Sequence, residues 1–206
     1  MYVPRHFAPP PSVDPVELIH ELGFGVLFSA HEGNQLATSL PALARRTEEG
    51  VVLEGHLARA NPQSHHVRAG AQALFVITGP HAHISPTWYG HVNVPTWNYV
   101  VVQVVGRLIP VEEASEVRAS LGGLIARFES PGEYGLDSLD ATVYEQEVPG
   151  ILAFRLRAEQ ITPCFKLSQN RNEPDYREIV SRLERRGRPG DAEVAAFMRR
   201  IRPERT

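Results

Sequence analysis

Residues 79–106 read GPHAHISPTWYGHVNVPTWNYVVVQVVG and concentrate the chemistry of the chain. Both tryptophans, Trp88 and Trp97, lie there, with Tyr89 and Tyr99 and with His81, His83 and His91. Pro80, Pro86 and Pro95 are interleaved among them. Prolines at that density forbid a helix and hold the chain extended or turned. Tyrosine and tryptophan rings bring large apolar faces with a polar tip that needs a partner. A stiff aromatic loop feeding the strand-forming run Val100-Val101-Val102-Gln103-Val104-Val105 is a good wall for a flat ligand.

His81 and His83 alternate on extended chain and so share a face, with His91 nearby. That spacing suits a divalent metal, but no acidic residue lies between Gly79 and Glu112. Ring stacking and hydrogen bonding to a ligand are the better use of these histidines, and no metal is expected. A second cluster follows at residues 54–62, EGHLARANP: Gly55 permits close backbone approach, and His56, Arg59 and Asn61 bring donors just past a strand end. An ordinary strand-to-helix turn is the plainer reading of the same residues. A third cluster is residues 165–171, FKLSQNR. Lys166, Ser168, Gln169 and Arg171 make a concentrated donor set for a phosphate or for ring carbonyls, or simply a polar loop before a helix. Lys166 is the only lysine among the 21 basic residues, so a point-charge ammonium stands where the chain otherwise uses arginine.

Other chemistries find no support. Gly-x-Ser-x-Gly, phosphate-binding Gly-rich loops and dinucleotide fingerprints are missing, and Cys164, the only cysteine, sits between Pro163 and Phe165 with no base beside it. No catalytic residue is therefore assigned. Net charge is −3, which argues against nucleic-acid binding through bulk charge. The tail from Arg171 is arginine-rich (Arg182, Arg185, Arg186, Arg188, Arg199, Arg200, Arg202, Arg205) but carries interspersed carboxylates. A solvated helical face explains it. DNA contact remains open, though no helix-turn-helix is visible. No apolar run is long enough for a membrane span, and the first residues do not read as a secretory signal, so a cytoplasmic location is expected.

The elements that must position these clusters follow from pattern. Asp14-Pro15 opens a helix that stops at Gly23. Residues 25–29 and 35–40 read as a hairpin around His31-Glu32-Gly33-Asn34. Strands follow at 51–57, 73–78, 84–85 and 99–108, then a helix over 111–128 with apolar residues at helical spacing. A short helix at 140–148, a late strand over 150–156 and 158–162, and two helices from 176 and 191 complete the chain. With 42% hydrophobic residues there is enough apolar surface for a real core. Hairpin signals dominate over strand–helix alternation. The fold class is thus mainly β with peripheral helices (α+β), a closed or split β-barrel. The expected division is a barrel domain over residues 1–172 and a helical extension over 173–206.

Several stretches, in order, resemble one family: Met1-Tyr2-Val3-Pro4 with His6-Phe7, residues 37–41 (ATSLP), 55–62 (GHLARANP), 79–89, 94–99 (VPTWNY) and 166–171 (KLSQNR). They are similar to the PaiB-type FMN-binding negative transcriptional regulators, related to the pyridoxamine-phosphate-oxidase-like split barrels. The resemblance covers roughly residues 1–185. The chain departs from the family's pattern at His83, at residues 162–165 and after Gly187.

The resemblance implies an FMN-binding split β-barrel that dimerises with the cofactor near the subunit interface, and a role in repressing sporulation and protease genes. The residues expected at the cofactor are His56, Arg59, Asn61, Trp88, Tyr89, Trp97, Asn98, Lys166, Ser168, Gln169 and Arg171. The alternatives are a flavin-dependent oxidoreductase or flavin reductase using the same slot, and a haem-binding split barrel.

Overall fold

The computed structural model describes residues 1–202. Among them are six helices, α1 (Pro15–Leu22), α2 (Gln63–Arg68), α3 (Ala114–Phe128), α4 (Ala141–Glu147), α5 (Glu173–Arg186) and α6 (Asp191–Ile201). Seven strands join them: β1 (Phe24–His31), β2 (Asn34–Pro41), β3 (Leu43–Thr47), β4 (Gly50–Ala58), β5 (Gln72–Ile84), β6 (Thr96–Val111) and β7 (Ile151–Lys166). The strands form one sheet in the order β2-β1-β5-β6-β7-β4-β3. The pairs β1–β2, β1–β5, β3–β4 and β4–β7 are antiparallel. The fold is mainly β with helices, of split-barrel type. No helix among the described residues is long and apolar enough to cross a membrane.

Turn chemistry fixes the first hairpin. Glu32 and Gly33 both have positive φ (48° and 79°), the type I′ requirement, and His31 pairs with Asn34 across the turn. Strand β3 was not legible: LARRT carries no apolar alternation, and its register on β4 fixes it, with Leu43 opposite Glu54. The sequence also suggests that β5 ends at Gly79-Pro80. Instead β5 runs unbroken over 13 residues, and the late strand, β7, runs over 16.

Two compact units make up the chain, and β5, β6 and β7 each run from one into the other. One unit comprises Pro15–Ile77 and Gln103–Ile161. Its core is built on Leu18, Ile19, Leu27, Leu53, Phe75, Ile77, Leu108, Leu152, Phe154 and Leu156, all nearly inaccessible. Period-two alternation puts Val104, Gly106 and Leu108 of β6 inside. Gly106 is needed there, because a Cβ would meet the Arg157 carbonyl oxygen at 2.0 Å.

The other unit comprises Met1–Asp14, Thr78–Val102 and the chain from Thr162 onward. It buries Ile84, Val100, Val102, Phe165, Leu167, Ile179, Leu183, Val194 and Met198. Helices α5 and α6, read from sequence as an extension, here pack with the aromatic loop. The Tyr176 hydroxyl donates to the Met198 carbonyl (2.7 Å), and the Arg186 guanidinium donates to the His83 carbonyl (2.9 Å). Asp191, a capping residue type that reads as the N-cap of α6, is instead its first helical residue, and Gly190 is the N-cap.

Candidate functional site

The aromatic loop is pinned by its own unit. Ser85 caps a single 3₁₀ turn over Pro86–Trp88, and Arg186 lies 4.9 Å over the Trp88 ring. Arg186 is in turn gripped by the buried Asp191 carboxylate, which that pair and the Arg188 backbone N–H hold below the ordinary range despite its burial. Asp175, also buried, accepts from the Gly90 backbone (2.8 Å) and faces His91 Nδ1 at 3.2 Å. Tyr89 is buried and its hydroxyl has no hydrogen-bond partner among the described residues, while Arg171 sits 4.8 Å over its ring. Trp97 behaves differently: it is 52% exposed, flanked by His81 and His83 at 6.1 and 5.8 Å.

The donors of residues 165–171 divide in the same way. Asn98, 1% exposed, accepts from the Ser168 hydroxyl (3.0 Å) and donates to the Met198 sulfur (3.5 Å). Gln169 closes the turn on itself, accepting from the Leu167 backbone (2.7 Å) and donating to the Phe165 carbonyl. Ser168 is held at φ 61°, left-handed for a non-glycine residue, by that closure and by the Arg171 N–H bond to its carbonyl. Asn98 and Ser168 bond each other, Gln169 bonds the backbone of its own turn, and the three build the loop.

Residues 165–171 carry two cations, Lys166 and Arg171. The Lys166 ammonium donates to the Thr96 hydroxyl at 2.8 Å and stands 5.8 Å over the Tyr99 ring. Neither Lys166 nor Arg171 has a carboxylate partner among the described residues. An ammonium has three donors, so Lys166 keeps two for an incoming acceptor. Cys164 beside it is buried and bonded to the Tyr99 hydroxyl. Burial pushes its thiol up, so it is not a nucleophile.

In the other unit, the strand end at β4 carries His56, half-buried and held by desolvation below the usual histidine range, hence neutral. The Arg59 side chain is exposed. Its Nε donates to the Pro149 carbonyl (2.9 Å), and its backbone N–H to the Gly150 carbonyl. Asn61 is a corner piece: its amide donates to Thr38 Oγ1 (3.0 Å) and its oxygen receives the Gln63 N–H, which starts α2.

Sequence reasoning missed what lies next to it. Gln63, fully buried, donates to the Leu27 carbonyl (3.0 Å) and to Ser29 Oγ (2.8 Å), and Ser29 Oγ lies 2.8 Å from His66 Nδ1. Only the pairing of β1 with α2 brings these three together. The one signal in the sequence was the His65-His66 pair. A groove of about 560 Å³ opens beside this network, and an apolar hollow of about 360 Å³ lies against Phe28, Leu36, Leu74 and Val105. Both volumes are in the range of small-molecule sites.

The tail arginines are largely spent. Arg177 and Arg202 pair with Glu173, Arg182 and Arg185 with Glu178, and Arg199 with Glu184. Arg205 lies outside the described residues.

The donor chemistry fits a flat anionic cofactor. One unit by itself offers an ammonium and a guanidinium with no carboxylate partner among the described residues, and an exposed indole. The other by itself offers a neutral imidazole and a guanidinium bonded to the Pro149 carbonyl.

Comparison with known proteins points the same way. Residues 1–160 match the profile of the family described as "Putative FMN-binding domain". The chain is 32% identical over 200 residues to the protease synthase and sporulation protein PAI 2 of Bacillus subtilis, covering 96% of each chain. Among solved structures, it is similar in fold to the flavocytochrome Anf3 of Azotobacter vinelandii (TM-score 0.61, 15% identity, 85% of this chain and 78% of that one). It is similar also to the FAD and heme binding protein of Mycobacterium smegmatis (TM-score 0.56, 17% identity, 72% and 68%).

Proposed function

The chain belongs to the FMN-binding family whose profile spans residues 1–160, and from that premise we propose that it holds FMN and acts as a negative regulator of transcription, as the PaiB-type resemblance implies. The observation that carries the cofactor reading is the pair of cations without a carboxylate partner among the described residues, Lys166 against Thr96 and Arg171 over Tyr89. A half-buried cation without a counter-carboxylate is costly unless an anion arrives, and a phosphate supplies one.

Lys166 and Arg171 are the residues we assign to the cofactor's anionic end, and Trp97 to its flat face. Trp88 and Tyr89 contribute the rigid backing of that loop. Asn98, Ser168 and Gln169 hold the geometry that keeps Lys166 aimed. From the other unit His56, Arg59 and Asn61 are put forward as donors to acceptor atoms. The His56 imidazole and the Asn61 amide can hydrogen-bond a ring carbonyl without adding charge, and the Arg59 guanidinium adds a cation. When bound, FMN supplies one- and two-electron redox chemistry, and the chain supplies binding and orientation.

We further propose that the functional form is a homodimer. Phe24 and Phe28 of β1 are 56% and 42% exposed, on the same outward alternation as Leu74 and Val76 of β5. A second copy is the natural cover for an apolar sheet face of this kind. Output to DNA does not run through a bare basic stripe, because the tail arginines are interleaved with carboxylates. Direct operator binding, tested with a promoter fragment, would show a steep loss of affinity with salt.

The second reading is a redox protein, favoured by the fold shared with a flavocytochrome and with a FAD- and haem-binding protein. Turnover of a nicotinamide donor, or a Soret band in the purified protein, would replace the regulator reading with that one.

The deciding experiment is the absorption spectrum of freshly purified protein followed by FMN titration. A flavin band, or uptake of added FMN, is expected. Lys166→Ala should lower FMN affinity roughly tenfold, equivalent to about 1.4 kcal/mol. Arg177→Ala, which removes an exposed i,i+4 pair, should leave it unchanged. Colourless protein that takes up no FMN defeats the proposal. Equal affinities in the two variants defeat the assignment of Lys166.

A further inference from the structure

The groove beside the β1–β2 turn is lined by His31, Asn34, Gln35, Pro62, His65 and His66, among others, and shares none of its lining with the residues put forward for FMN. His66 is only 4% exposed, yet it reaches this groove. Its Nδ1 is 2.8 Å from Ser29 Oγ, and that oxygen already receives a proton from the Gln63 amide. The Ser29 hydroxyl proton is therefore free to point at Nδ1, which puts the ring proton of His66 on Nε2. Nε2 has no protein partner among the described residues. A buried relay of three side chains thus presents one N–H donor to an open groove. The His31 ring stands edge-on to it at 5.7 Å.

We propose that this groove binds a small organic anion, a carboxylate or a phosphate monoester, received by His66 Nε2–H with His31 and His65 beside it. Three imidazoles with no buried carboxylate among them suit such a guest. The charged and titratable groups around His66 are His31 and Glu32 from β1 and its turn, and His65 from its own helix. Glu32 is 82% exposed at the rim, 3.9 Å from His31, and is screened by water. Asn34 and Gln35 of β2 are neutral and add amide donors. In the free protein, burial and then the neighbouring His31 and His65 keep His66 below the usual histidine range. A bound anion reverses that balance, so binding takes up a proton and strengthens as pH falls. The volume of about 560 Å³ admits a metabolite-sized molecule rather than a bare ion.

The test uses inorganic phosphate and acetate as separate probes, followed by the imidazole C–H resonances of the full chain. It is run without FMN and at FMN saturation. The expected result is a saturating shift of the His31, His65 and His66 rings with at least one probe in both conditions, the stronger probe identifying the head group. Affinity should rise by up to about tenfold per pH unit between about pH 8 and about pH 6, one proton being taken up per anion. His31→Asn with His65→Asn, both at accessible positions, should weaken binding at least several-fold while leaving the melting temperature close to the parent's. Rings that do not respond to either probe overturn the proposal, as does an affinity flat with pH. A response confined to FMN-free protein also overturns it, by making the groove part of the flavin site.

Discussion

The aromatic loop with residues 165–171 and the β4–α2 corner were both rich in donors on the page, and they use them in opposite ways. In the loop the donors are consumed in separate pairs: Gln169 bonds within its own turn, Ser168 bonds Asn98, and Trp88 lies under Arg186. At the corner the bonds run in series, Gln63 to Ser29 and Ser29 to His66. The lesson is one of accounting. Polar residues packed into one loop find partners there first, and Lys166 and Arg171, which meet no carboxylate among the described residues, remain for a ligand. A corner with few local partners relays its polarity inward and presents a single oriented atom.

The largest effect that tests this contrast is at Asp191. Its carboxylate is 1% exposed, and it holds Arg186, which covers Trp88 and grips the His83 carbonyl. Asp191→Ala leaves a mostly buried guanidinium without its anion, so a loss of about 3–5 kcal/mol is expected in a denaturant titration. The aromatic loop should loosen with it, read as a red shift and quenching of Trp88 emission. A stability loss no larger than that of an exposed pair such as Arg182–Glu178, at most about 1 kcal/mol, would show that the tail is an appendage rather than the clamp of the loop.

Much of the architecture was legible in the sequence, for local reasons. Pro15 at a helix start, Gly23 at its end, the turn at Glu32-Gly33 and the inward alternation of β6 are each set by residues that act within a few positions. Strand β3 was not, because ARRT gains its place only by pairing with β4. The continuity of β5 through Pro80 was hidden because proline signals a break, and only the sheet decides whether its missing N–H matters. The candidate site divides the same way. Lys166 stood out by type alone, whereas the Ser29–Gln63–His66 relay joins residues that no spacing rule connects. The stripe of tail arginines gave no hint that Arg186 differs from Arg182. Burial separates them.

An intermediate effect comes from pH, and it falls on one region only. His56 and His66 are both held below the ordinary value of 6.5 in the folded chain, first by burial. The unfolded chain binds those protons near 6.5, and the folded one resists them. Stability is therefore full above about pH 6.5 and is lost as pH falls below it, by at most about 1.4 kcal/mol per pH unit for each group. His66→Gln should remove roughly half of that slope while keeping a side chain that Ser29 can bond. An unchanged slope would mean that His66 is not the neutral end of the relay.

The smallest effect on stability is expected where the loop presents itself to a ligand. Trp97 is 52% exposed, with the His81 ring tilted and the His83 ring edge-on beside it, so Trp97→Phe should change folding stability by no more than about 0.5 kcal/mol. Its consequence lies in recognition. With only two tryptophans, each single Phe variant leaves one reporter: Trp97 in Trp88→Phe, and Trp88 in Trp97→Phe. If Trp97 is the face on which FMN rests, added FMN quenches the emission of Trp88→Phe strongly and that of Trp97→Phe weakly, because Trp88 is shielded by Arg186. Strong quenching in Trp97→Phe with little in Trp88→Phe would reverse the assignment. The loop would then bind through its clamped part, and the rule that locally satisfied residues are withdrawn from recognition would fail where it matters most.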